Sequence, residues 1–331
     1  VDTGPDLRFQ QAATRQDIDP FSLQTNLPGG RARRPLALLG ALMFLVALLV
    51  GTGRAQSAWQ QVAQLLSLHG KPASASANVL SEHEIENLDQ MRPQSQAQLL
   101  LERSVNHYHG ANDQIAARVQ SWRGKIKLDG PLNGLFMTAL NSDDLRVRAA
   151  AIEIDLACRN LEKSVPTVGR LEPDARTGEQ GPRANALWDI ALLGNRGVEP
   201  DRAAQILLAS IHDDNVNIRY WAVEGLAYLG TNDTIAPLLQ IFHDDPSPMI
   251  RERAACGLAQ SGMLSEKQRR SAVPQLLDFA EDASLDPETR KWVFQALRDI
   301  TGQNLPHEPA AWRSWYSTNN GQWSPVTHDS Q

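Results

Sequence analysis

Apolar and polar positions alternate in a recurring sentence along the second half of the chain. In Asp213–Gly230, DDNVNIRYWAVEGLAYLG, an acidic turn leads into Ile218 and Arg219. Ala222, Val223, Leu226 and Ala227 then share one helical face. Gly230 ends the helix, because glycine takes the left-handed cap conformation at least cost. The same arrangement returns as Ile250-Arg251 with Ala254, Ala255, Leu258, Ala259 and Gly262, and as Val147-Arg148 with Ala151, Ile152 and Leu156. It returns again as Arg183 with Ala186, Leu187, Ile190, Ala191 and Gly194, and as Arg290 with Val293, Phe294 and Leu297. The intervals between successive arginines are 35, 36, 32 and 39 residues. Self-similarity at that period predicts an all-α solenoid of two-helix units, since one hairpin cannot bury its apolar stripe alone.

The repeats are predicted over 131–305. First helices are expected at 131–141, 163–171, 199–212, 233–243 and 266–281. The Arg-led second helices are expected at 144–160, 183–193, 216–229, 248–261 and 287–300. The second repeat reads as the weakest, with LEPDARTGEQGP at 171–182 as a long edge loop. Ahead of the repeats, 81–130 reads as a helical leading segment that covers the first exposed face. Ser81 with Glu84 forms a capping-box pattern there. Helices are expected at 82–91, 94–108 and 112–123, with WRGKIKLDG after them as a short extended piece. Residues 306–331 are expected to close the far end, with PAAWRSWY as an aromatic cap before a loose tail.

The first eighty residues follow a different pattern. Residues 1–34 are polar without apolar periodicity, which predicts a disordered arm. Val1 is not methionine, so the true start stays open. Pro35–Gly53, PLALLGALMFLVALLVGTG, carries no charge for 19 residues. As a helix it would reach ~28 Å, close to a ~30 Å hydrocarbon core. A transmembrane helix at 35–53 is therefore expected, with a cleaved signal peptide as the alternative, given the small residues of Gly53-Arg54-Ala55 and the basic RARR before the run. Residues 54–80 read as a juxtamembrane helix from Trp59, Val62, Leu65 and Leu66, followed by the linker GKPASASAN. Arg15, Arg31, Arg33 and Arg34 precede the apolar run, against Arg54 and Lys71 after it. That bias places the arm in the cytoplasm and the large domain outside. In a bacterium, the source its style suggests, this means an inner-membrane anchor and a periplasmic domain.

Composition narrows the partners. The net charge is −6, and the first 54 residues hold six arginines against four aspartates, so the remainder is more acidic than the whole. Nucleic acid is excluded as a partner, because phosphate contacts need a basic stripe. The two cysteines, Cys158 and Cys256, sit beside alanine on predicted repeat helices and read as small buried residues.

The Arg-led helix with its alanines and closing glycine resembles HEAT repeats, in particular the HEAT-like repeats also seen in phycobilisome lyases. The residues that carry the resemblance are Asp213, Ile218-Arg219, Ala222, Leu226-Ala227 and Gly230, with Asp245, Ile250-Arg251, Ala254, Leu258-Ala259 and Gly262 in the next unit. The resemblance covers roughly 131–305. It implies that the acidic turn and the arginine link successive repeats, as the pairs Asp213 with Arg219 and Asp245 with Arg251, with Arg148, Arg183 and Arg290 in the equivalent slots. Ser142 and Ser284 stand in the aspartate slot of the end repeats. Outside the repeats nothing resembles a bilin lyase, so that activity is not carried over.

Candidate chemistry is sparse. His212-Asp213-Asp214 and His243-Asp244-Asp245 fall at one edge of successive repeats and could form a metal or acid–base site, but read better as turn and cap residues. His107-Tyr-His109 reads as a helix end. His83-Glu84 begins an HExxH motif that Asn87 breaks. No phosphate loop or nucleophile elbow occurs. Catalytic residues, metal and cofactor are each expected to be none. Trp188, Trp221 and Trp292 lie within repeat helices, as inter-repeat packing or as anchors for a partner. The expectation is a membrane-anchored, non-enzymatic scaffold that binds a protein at or near the same membrane. The alternatives are an accessory enzyme or small-molecule handling protein on the same repeats, and a freely exported form.

Overall fold

The computed structural model describes residues 78–319. The expected arm at 1–34, the expected transmembrane helix at 35–53, the expected juxtamembrane helix, most of the linker and the last twelve residues of the tail lie outside them. Among the described residues no helix is long and apolar enough to cross a membrane.

The described chain is all-α. The leading segment contains α1 (Glu82–Leu88), α2 (Pro93–Val105) and α3 (Ala111–Trp122). Ser81 caps α1, with reciprocal bonds to the Glu84 amide and carboxylate. No strand follows α3. Instead, the side-chain amide of Gln94 donates to the Lys127 carbonyl and accepts from the Lys127 amide, both at 2.9 Å. That pairing satisfies backbone groups as a strand partner would, so the WRGKIKLDG piece stays irregular while Ile126 is buried.

Hairpins then follow in series: α4 (Gly130–Leu140) with α5 (Leu145–Cys158), α6 (Val165–Thr177) with α7 (Gln180–Asn195), and α8 (Pro200–Leu208) with α9 (Val216–Leu229). After them come α10 (Ile235–Asp244) with α11 (Pro248–Ala259), then a last hairpin whose first arm is split into α12 (Glu266–Ser271) and α13 (Val273–Glu281) against α14 (Pro287–Thr301). Helix α15 (Pro309–Thr318) closes the described chain. Second helices stack in order, α7 on α9, α9 on α11 and α11 on α14, while α5 packs against α3. Polar caps start several of them: Asp144, Asn215 and Asp286 accept from amides of α5, α9 and α14.

Within the repeats, helix bounds differ from the sequence reading notably at four places. The expected loop at 171–182 is mostly helix. Helix α6 runs through Pro173 to Thr177, because Val168 and Ala175 are buried as it packs along α7, and the Glu172 carboxylate is held by Arg176 and Arg202. The expected single helix at 266–281 breaks at Ala272, because Pro274 has no amide to continue the ladder. Helix α8 stops at Leu208, four residues before its expected end. Gly194 does not end its helix, which runs on to Asn195 with Gly197 as the positive-φ residue beyond. A Cβ at Gly194 would lie 2.7 Å from both Ala203 and Leu229, so its role is close helix packing.

Helix α15 caps the stack as an aromatic element. Trp312 is fully buried and donates to the Pro306 carbonyl. Arg313 reaches Asp278 and Glu281 on α13.

Candidate functional site

Three of the repeated arginines point into the turn within the following hairpin. Arg183 Nη1 lies 2.7 Å from Asp213 Oδ2. Arg219 grips Asp245 with two nitrogens, Nε to Oδ2 at 2.9 Å and Nη2 to Oδ1 at 3.2 Å. Arg251 donates to Asp286 Oδ2 and Thr289 Oγ1, each at 2.9 Å. Arg219 and Arg251 also donate Nη1 to a carbonyl of their own turn, Asp213 at 2.8 Å and Asp245 at 2.7 Å. Each rung thus ties the start of one second helix to the turn of the next hairpin. The carboxylates serve both helices: Asp213 and Asp245 accept from the Asn215 and Ser247 amides as well. In the last rung Asp286, the N-cap of α14, replaces the slot residue Ser284. Arg290 has no following turn and donates to the Leu285 carbonyl at 2.8 Å.

Arg148 stands in the same register but leaves the row. Its nearly inaccessible guanidinium donates to the Gln260 carbonyl at 2.7 Å and to the Gly262 carbonyl, both just beyond the end of α11. Arg269 donates to Ala259, Gln260 and Leu264 carbonyls at the same place. Two cations therefore satisfy carbonyls left over at one helix C-terminus, where the dipole favours positive charge. Burial, followed by repulsion from Arg148, pushes the Arg269 guanidinium down to about 10, while Asp143 opposes the shift.

A second set of polar contacts runs along the second helices, and sequence reasoning missed it. Asp155 on α5 accepts from Trp188 Nε1 at 2.9 Å and from Arg159 Nε at 3.0 Å. Arg159 Nη1 lies 3.3 Å from Asp189 on α7. Glu153 takes Lys163 and Arg196, each at 2.9 Å. Glu224 on α9 accepts from Arg253 Nη2 on α11 at 2.8 Å and from the Tyr220 hydroxyl at 3.1 Å. Gln260 donates to Asp299 on α14 at 2.6 Å. A signal was available: Glu153, Trp188 and Glu224 each fall five residues after a repeat arginine, in helices otherwise rich in alanine.

The tryptophans divide. Trp188 and Trp221 are buried and meet edge to face at 5.9 Å, with Tyr228 at 4.9 Å from Trp188. Trp292 is half-buried on α14. The His-Asp pairs also divide. His212 is exposed, whereas His243 sits between Asp244 and Asp282, with Nε2 2.8 Å from Asp282, and packs on Phe279. Burial would lower the His243 imidazole, but the hydrogen bonds it donates to these carboxylates outweigh that and raise it above its usual range. Burial pushes both thiols up, Cys158 to about 12, which leaves little thiolate. Among the described residues no group of His, Cys, Asp or Glu is arranged to hold a metal. A cleft of about 460 Å³ opens at the ladder edge, lined by Ile211, Asp213, Asp214, Arg219, Asp244 and Asp245 among others.

The class defined by these observations is an all-α stack of helical hairpins bonded turn to turn. Residues 175–259 match the family model for HEAT repeats. That span begins in α6 and ends with α11, so it contains the Arg183 and Arg219 rungs and excludes both end hairpins, where serine replaces the slot aspartate. A comparison with curated proteins finds no match.

Proposed function

We propose that this chain is a membrane-anchored scaffold that presents its HEAT-like repeats to a protein partner. HEAT repeats generally mediate protein binding, and the observation that carries the reading is the repeat match over 175–259 together with its two rungs, Arg183–Asp213 and Arg219–Asp245. Those bonds hold neighbouring hairpins in one register, so a partner meets a preformed surface and less ordering entropy opposes binding. The uncharged run at 35–53 supports the anchor, and the arginine bias before it supports an exocytoplasmic domain. Anchoring raises the effective concentration for partners on the same membrane. The ladder groups are taken up in structural bonds, which favours binding over catalysis as the work of this surface.

The small-molecule reading keeps one observation, the cleft between the third and fourth hairpins, whose lining mixes Ile211 and Ile241 with aspartates. The likeness to repeats of phycobilisome lyases belongs with that reading.

Crosslinking in intact membranes followed by mass spectrometry tests the proposal. The full chain is expected in the membrane fraction, joined to a protein partner through residues of 131–305. A mature N-terminus near Gln56 would remove the anchor, and a purified chain that carries a stoichiometric small molecule in the cleft would favour the second reading.

A further inference from the structure

The junction between α5 and α7 is unlike those after it. Helices α7 and α9 make extensive contact, whereas α5 and α7 touch at few points and are bridged by Trp188 to Asp155, Arg159 to Asp189 and Arg196 to Glu153. Asp155 is fully satisfied by Trp188 and Arg159. Asp189 is not. It is only 7 % exposed, and its buried Oδ1 accepts no hydrogen bond. Arg159 Nη1 stands 3.3 Å away, close enough to attract but badly aimed to donate. Two buried carboxylates therefore share one guanidinium.

The surroundings offer Asp189 nothing else. Lys163 and Arg196 are both engaged by Glu153. The helices packed on α7 are α6, α8 and α9, and no charged side chain from them acts on Asp189; its charged neighbours are Arg159, which favours the carboxylate, and Asp155, which opposes it. Tyr228 on α9 faces the same cluster with a neutral phenol, pushed above its usual range by burial. The buried oxygen is closed to solvent, so a proton is the ligand small enough to reach it without opening the junction.

We propose that the α5–α7 junction is a proton-gated hinge: Asp189 takes up one proton when the first and second hairpins close on each other, and loses it when they open. Neutral Asp189 leaves Arg159 to Asp155 alone. Ionised Asp189 competes for the same guanidinium in a site that cannot solvate it. Burial pushes this carboxyl up to about 7, against an ordinary value of about 3.9 once the junction is open. The closed form therefore holds one more proton than the open form between those values. Opening rises about tenfold per pH unit in that window and levels off above it. The hinge does not depend on the identity of the partner.

Hydrogen exchange of the full chain, read peptide by peptide and corrected for intrinsic rates, tests this against infrared titration. Protection of Leu145–Cys158 and Gln180–Asn195 is expected to fall as pH rises, and a protonated-carboxyl band is expected to vanish with a midpoint near 7. Asp189→Asn should remove both the band and the pH dependence at these helices. Arg159→Gln should move the midpoint upward, and serves if the first variant does not fold. His243 titrates too, but its exchange signature belongs to α10 and α13. A band that survives in Asp189→Asn, or wild-type protection of α5 and α7 that does not change with pH, would overturn the hinge.

Discussion

Arg148 donates a buried hydrogen bond to the backbone carbonyl of Gly262, 114 residues further along the chain. The bond joins the first hairpin to the end of the fourth, so it reports how tightly the stack is wound. Arg148→Met removes the fork while keeping most of the stem. It is expected to destabilise by about 1–3 kcal/mol, because carbonyls after α11 lose a donor in a buried place. Arg148→Lys should recover only part of this, since one ammonium cannot match the spread of the guanidinium. Urea denaturation of both variants measures the difference.

The rungs should not be equal. Arg219 and Asp245 are both largely buried and bonded bidentately, whereas the Asp286 carboxylate opposite Arg251 is 45 % exposed. Arg219→Ala is expected to cost about 1–3 kcal/mol through unpaired partners. Solvent screening makes the ion-pair part of Arg251→Ala smaller. A loss within ~0.3 kcal/mol for Arg219→Ala would refute its structural role.

His243 makes the joint between the fourth and fifth hairpins sensitive to pH. Its imidazolium donates to Asp244 and Asp282, which raises its pKa in the fold. The stabilisation is therefore complete below the ordinary histidine value of about 6.5 and is lost as pH rises through the raised one. Asp282 is held down to about 2, chiefly by Ser284 and His243, so its contribution is present at neutral pH and lost in strong acid. In melting curves across the neutral range, His243→Gln should abolish the alkaline loss that the wild type shows at this joint.

Gly262 has a positive φ of 75°, and a Cβ there would sit 2.3 Å from the Ala227 carbonyl oxygen, which itself accepts from the Met263 amide. Gly262→Ala is expected to destabilise by well over 1 kcal/mol, because strain and a backbone clash add. Gly110 has a comparable φ of 86° with nothing within 4 Å of the added carbon. Gly110→Ala should therefore show the backbone term alone, about 1 kcal/mol. Equal losses at the two sites would mean that the close approach at Gly262 relaxes freely.

Local elements were legible because their causes are local. Ser81 and Glu84 lie one turn apart and form the capping box their spacing implies. Gly230 takes the left-handed cap after α9. The pairing within the ladder was not legible: the expected partners Asp213 with Arg219 and Asp245 with Arg251 meet only through backbone carbonyls, whereas each carboxylate lies against the arginine of the preceding hairpin, Arg183 and Arg219, because a repeat of fixed length sets each arginine beside the next turn. The extent of α6 was hidden, since Pro173 and Gly178 look like loop residues until packing against α7 is known.

By itself, the sequence determined the hairpin, its period, the arginine that starts each second helix, and the uncharged run at 35–53. Only the tertiary structure decided where Arg148 goes, which carboxylates meet Arg159, and that Trp188 and Trp221 turn into packing. Those outcomes depend on the rotation accumulated from one hairpin to the next. Rotation between hairpins arises from the side chains along each contact, so no short stretch of residues encodes it, and partners more than one hundred positions apart become neighbours only when the stack is assembled.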